Sequence, residues 1–178
     1  KVRLPEPEPG LVIRYDFLWR WEVDRGQLYG AKDRPCAIVL ASEPRDDGSR
    51  QVIVCPITHT PPDNMASDIE IPLRVAAHLK LDDQNSWIRT HELNSFRWEA
   101  GRIPVGVSPA DKDRDTFGFI PPRSMLGCAT RYGRSDAGML YKSCSGIWVV
   151  QNNGNARETK NEPGSRDRLY RLHHYRGR

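Results

Sequence analysis

Two apolar, β-branched runs joined by a tight turn constrain this chain more than anything else in it. Residues 34–42 read RPCAIVLAS and residues 51–58 read QVIVCPIT, with Asp46-Asp47-Gly48-Ser49 between them. Side chains branched at Cβ suit a pleated strand, while short polar residues and a glycine suit a chain reversal. The pair predicts an antiparallel hairpin.

The flanking segments read as more strands of the same kind. Leu11 to Trp21 is rich in Val, Ile, Tyr, Phe and Trp and predicts a strand, and Glu22 to Asp33 predicts a loop. Pro61 and Pro62 remove backbone donors, so residues 60–64 are expected to be a loop. Short strands are expected at Asp68–Ile71, Ser86–Thr90, Leu93–Trp98 and Thr116–Ile120. A helix is expected from Pro72 to Lys80, with Leu73, Ala76 and Ala77 facing the core. Many short strands with one clear helix predict a mainly β fold, a small barrel. The boundaries expected are a disordered lead-in over residues 1–10, one domain over 11–124, and a basic, poorly ordered extension over 125–178.

Charge supports that division. Residues 1–124 hold 17 Lys and Arg against 19 Asp and Glu, and residues 125–178 hold 10 against 4. The overall charge of +4 therefore resides in the tail and says nothing about nucleic-acid binding by the main domain. Neither a membrane-spanning run nor a signal-like apolar stretch is present in this sequence, so a cytoplasmic location is expected. Cys36, Cys55, Cys128 and Cys144 form no CxxC pair, which argues against a zinc site or a disulfide scaffold.

Lys32-Asp33-Arg34-Pro35 opens the first run, and Pro56-Ile57-Thr58 closes the second. A K-x-R-P motif, one strand, one turn and a strand ending in P-I-T resemble the MazF/PemK family of type II toxin–antitoxin toxins. Pro9-Gly10-Leu11-Val12 upstream and Ser86-Trp87-Ile88 with Glu92-Leu93-Asn94 downstream extend the resemblance over roughly residues 9–124. It implies an SH3-like barrel of the MazF/PemK/CcdB type, a homodimer, and an antitoxin covering the groove. It also implies cleavage of single-stranded RNA by its own 2′-hydroxyl, with no metal or cofactor.

Such cleavage needs a proton acceptor, a cation for the phosphorane, and a proton donor for the leaving oxygen. By the resemblance Arg34 is the catalytic cation and Thr58 its helper at the phosphate. A guanidinium suits that task because it is always charged and grips two oxygens at once. His59 follows Thr58 and is a candidate proton carrier from its chemistry alone. The two share a groove only if the strand ends there, because neighbouring strand residues face opposite sides. Lys32, Trp19, Glu92 and Asn94 are the candidate RNA contacts. Trp19 and Trp21, two apart on one expected strand, offer either a base-stacking platform or core packing. Asn94 stands in the segment where several family members carry an arginine, leaving Arg34 without its usual second cation. Two alternatives remain open: a gyrase-inhibiting toxin on the same fold, and a non-catalytic binding module.

Overall fold

The computed structural model describes residues 4–63, 68–82 and 84–121, together with the backbone of residues 148–152. The expected hairpin is its centre. Strand β2 (Asp33–Ala41) pairs antiparallel with β3 (Arg50–Thr58), and β1 (Leu11–Asp16) pairs antiparallel with the other edge of β2. The second half of β3 pairs with β5 (Ser86–Ile88), which carries β4 (Ile69–Ile71) at its outer edge. The first half pairs with β6 (Glu92–Trp98), so a single strand organises two sheet edges. Beyond β1 lie two short strands, β7 (Val107–Ser108) and β8 (Gly118–Phe119).

The described residues are mainly β, with two short helices, α1 (Arg20–Asp24) and α2 (Leu73–Leu79). A barrel was expected, but the sheet does not close: its main path runs from β4 to β7, and these do not pair among the described residues. The backbone of β9 (Trp148–Asn152) runs parallel to β6. The rest of the basic extension, including Cys128 and Cys144, lies outside the described residues.

The apolar runs are continuous because the sheet is covered on both faces. Val12, Ala37, Ile53 and Cys55 point into one buried cluster, which α2 covers with Val75, Ala76 and Leu79. Their neighbours Ile13, Cys36, Val52 and Val54 point into the other, with Tyr15, Phe96 and Trp98. A bulge between Ile38 and Leu40 lets Val39 and Leu40 serve the same cluster despite being adjacent. Cys36 and Cys55 are buried cysteines in opposite clusters, and burial raises the Cys36 thiol well above its ordinary range. Residues 4–10, read as a lead-in, lie against this sheet. Leu4 packs beside the second cluster, and the Gly10 N–H donates to the Ile38 carbonyl.

Two local expectations change. The apolar face of α2 is Val75, Ala76 and Leu79, whereas Leu73 is 60% exposed. The first strand ends at Asp16, and the segment expected to continue it bends into α1. Three side chains far along the chain or in the turn itself cause that bend. Asn94 accepts a hydrogen bond from the Leu18 N–H and donates one to the Leu18 carbonyl, both at 2.9 Å. The buried Glu22 carboxylate accepts the N–H groups of Trp19 at 2.9 Å and Ala31 at 3.1 Å. Glu92 accepts the Arg20 N–H at 3.2 Å. Gly30 returns so close beneath this loop that a Cβ there would sit 2.3 Å from the Phe17 carbonyl oxygen.

Asn94, read from the sequence as an RNA contact, is thus a clasp: it is 1% exposed and committed to Leu18. Its replacement by alanine orphans a backbone donor and acceptor, and is expected to cost about 2–4 kcal/mol in urea unfolding. An unchanged unfolding midpoint for Asn94→Ala would remove the clasp from this account.

Candidate active site

The β2–β3 register brings the two motifs together. Cys36 faces Pro56, and the same ladder continued two residues sets Arg34 beside Thr58, at the end of the hairpin remote from its turn. The loop after β1 folds over this end and places the Trp19 ring 4.8 Å from the Arg34 guanidinium carbon. Trp19 is itself braced edge-on by Phe17, with ring centroids 5.3 Å apart. A guanidinium laid on an indole face is held in place without losing its charge. Among the described residues Arg34 has no carboxylate partner, and its Nε is buried without a hydrogen bond. The cation is therefore fixed in orientation but not neutralised.

Around it lies an open pocket of about 410 Å³. Of the candidates from sequence, Arg34, Thr58, Lys32, Trp19 and Glu92 line it. The Thr58 hydroxyl oxygen accepts the Thr60 N–H at 3.2 Å, which leaves its own proton to donate. Trp21, weighed from the sequence as a stacking platform, lines the wall too, together with Thr60, Arg89 and His91, which were not candidates.

His59 is not part of this group. Its Nε2 lies 2.8 Å from the Asp82 carboxylate, and its Nδ1 lies 3.1 Å from the Asn85 carbonyl and 3.3 Å from the Ser86 hydroxyl. β3 runs regularly through Thr58, so its alternation sends residue 59 to the opposite side. The adjacent Ser86, His59 and Asp82 do not form a working nucleophilic triad, because Ser86 is fully buried and unreachable by substrate.

Arg89 supplies the second cation that Asn94 does not. Its guanidinium donates to Asp68 at 2.8 Å and to the carbonyls of Thr60 at 3.0 Å and Pro61 at 3.3 Å. Asp68 is fully buried at its side chain and also accepts the Thr90 N–H at 3.1 Å. Its other partner is His91, whose Nδ1 lies 3.2 Å away. A carboxylate only accepts, so this contact places the proton on Nδ1 and leaves Nε2 as the open nitrogen of a half-exposed ring. The polar run Arg89-Thr90-His91-Glu92 between two short strands was the available signal for these residues. Asp68 carried no local signal, since the groups it holds lie more than twenty residues onward.

Glu92 is half-buried, and desolvation raises its carboxyl above the ordinary glutamate range, opposed in part by the Arg20 N–H. Folding therefore disfavours its ionised form. That cost is absent below the unfolded-state value and grows as pH rises through the folded-state value. Glu92→Gln keeps an acceptor for Arg20 and removes the charge. The variant is expected to melt higher than wild type at pH 7 and equally near pH 4, where an unfolded glutamate is largely protonated. A scanning-calorimetry comparison in which Glu92→Gln melts lower at pH 7 would show that the carboxylate stabilises the fold instead.

The pocket thus combines two guanidiniums, one ammonium, an imidazole braced by a buried carboxylate, a half-buried carboxyl and two indoles. Among the described residues no helix is long and apolar enough to cross a membrane. Comparison of the chain with protein-family models, curated proteins and solved structures finds no match in any of the three.

Proposed function

We propose that this chain is an endoribonuclease that cuts single-stranded RNA through attack by the substrate's own 2′-hydroxyl. The observation that carries the reading is the Arg34 guanidinium, oriented by Trp19 and not ion-paired among the described residues, in one pocket with Arg89, His91 and Glu92. Together with the R-P and P-I-T motifs, it supports a toxin of the MazF/PemK kind, on an SH3-like barrel left open between β4 and β7. By the same resemblance the toxin works as a cytoplasmic homodimer, and its cognate antitoxin covers the groove.

The roles follow from the chemistry of each group. Arg34 grips the scissile phosphate and takes up the charge that builds on its non-bridging oxygens. Thr58 donates its free proton to the same phosphate. Glu92, whose carboxyl burial makes more basic than an exposed glutamate, accepts the 2′-hydroxyl proton as its carboxylate. His91 returns a proton from Nε2 to the departing 5′-oxygen, its ring oriented by the buried Asp68 carboxylate at Nδ1. Arg89 and Lys32 hold the adjoining phosphates. None of these steps calls for a metal ion.

The test is incubation of the purified protein with total RNA in excess EDTA, followed by mapping of the new ends. Discrete cuts leaving 2′,3′-cyclic phosphates or 3′-phosphates, with 5′-hydroxyls opposite, are the expected result. Intact RNA with a folded protein would defeat the catalytic reading in favour of a binding module or a gyrase-directed toxin.

A further inference from the structure

Trp19 and Trp21 are separated by one residue, yet they do different work. Trp19 is half-buried, with Arg34 at its ring and Phe17 against its edge, so its aromatic surface is already committed. Trp21 lies on the first turn of α1, is 48% exposed, and lines the same pocket as Lys32, Arg34 and Arg89. The guanidinium of Arg25 stands 4.9 Å from its ring centroid. About half of the indole surface therefore stays open at the pocket wall. The neighbouring cations fix what chemistry can arrive there: a phosphate-bearing chain whose other parts are flat and aromatic.

We infer that Trp21 is a nucleobase subsite: one unpaired base of the RNA strand stacks on the indole face not covered by Arg25. Arg25 on the opposite face would then complete a cation–indole–base stack. The inference rests on the pocket being an RNA site, and it names the contact that takes a base where Arg34 takes a phosphate. Recognition by stacking needs a single strand, because a base paired in a duplex has no free face. It also tolerates any base, so Trp21 adds affinity without dictating sequence. The hold of Glu22 on Trp19 and Ala31 sets the start of α1 and therefore the height of Trp21 above the pocket.

A 2′-O-methyl RNA dodecamer of random sequence is the probe, since it cannot be cleaved and reports binding alone. Trp21→Ala is expected to raise its Kd about tenfold or more, and Trp21→Phe to recover most of that loss. Substituting abasic sites one position at a time should weaken binding to wild type most at a single position. At that position Trp21→Ala should show no further loss. Because Trp21 is exposed, the Ala variant is expected to fold, checked by an unchanged melting temperature. Equal Kd for wild type and Trp21→Ala would overturn the stacking subsite while leaving the ribonuclease reading intact, provided Arg34→Ala still abolishes cleavage. Failure of wild type to bind the dodecamer at all would overturn both.

Discussion

Arg34→Ala is expected to lower EDTA-resistant RNA cleavage by about 10²–10³-fold or more, the range seen when one preorganised donor to a developing oxyanion is removed. The loss should fall mainly on kcat. A phosphorane carries more charge than the ground-state phosphate, so a cation held ready for it is worth most in the transition state. Arg34→Lys separates charge from geometry. It restores the positive charge but neither the two-pronged grip nor the flat stacking on Trp19, and its rate should lie between wild type and Arg34→Ala. Folding should survive both changes, since a half-buried cation–π contact contributes only about 0.5–2 kcal/mol. Single-turnover rates measured on one mapped cut site would decide it. An Arg34→Ala protein that cuts at the wild-type rate and position would remove Arg34 from the chemistry altogether.

Asp68→Ala is expected to be the most destabilising single change at the pocket, by about 3–5 kcal/mol, because it strands a partly buried guanidinium. The Asp68 side chain has no exposure and that of Arg89 only 16%, so water cannot replace the lost carboxylate. The Thr90 N–H, on a residue 4% exposed, loses its acceptor at the same time. Asp68→Asn retains the shape and one acceptor and should cost less. Combining Asp68→Ala with Arg89→Ala should recover part of the stability, because the stranded charge is then gone. Urea unfolding of the four proteins measures this directly, and strict additivity of the two single changes would refute the coupling. Activity offers an independent reading. With Asp68→Asn, His91 loses the carboxylate that orients its ring, so kcat should fall with little change in KM.

That Asp68 matters could not be read locally. It directly precedes a three-residue edge strand, and nothing near it in sequence distinguishes it from the exposed Glu70 two positions on. Its partners arrive on the β5–β6 connection, which β3 brings alongside by pairing with both strands. Asn94 shows the converse. Its place in the family-like segment suggested an RNA contact, but the β3–β6 register seats it opposite Val54, within reach of the Leu18 backbone. His59 shows how one step along a strand decides a role. β3 does end at Thr58, as expected, yet residue 59 still lies on the side away from the groove and is held by Asp82.

The hairpin, most of the strand positions, α2 and the meeting of Arg34 with Thr58 were legible in the residues alone. Each of these depends on interactions close in the chain: side-chain branching, turn chemistry and a register counted from one turn. Contacts distant in the chain hold the sheet open, take Leu18 to Asp24 out of the strand, and bring Arg89, His91 and Trp21 to the pocket. The strand-like composition around Trp19 was overruled by Asn94, Glu22 and Glu92, two of them about seventy residues away. A backbone's own preference is worth a few tenths of a kcal/mol per residue, whereas leaving buried donors and acceptors unpaired costs about 1–3 kcal/mol each. Where those two conflict, the long-range hydrogen bonds choose the conformation, and no local reading of residues 17–24 can find them.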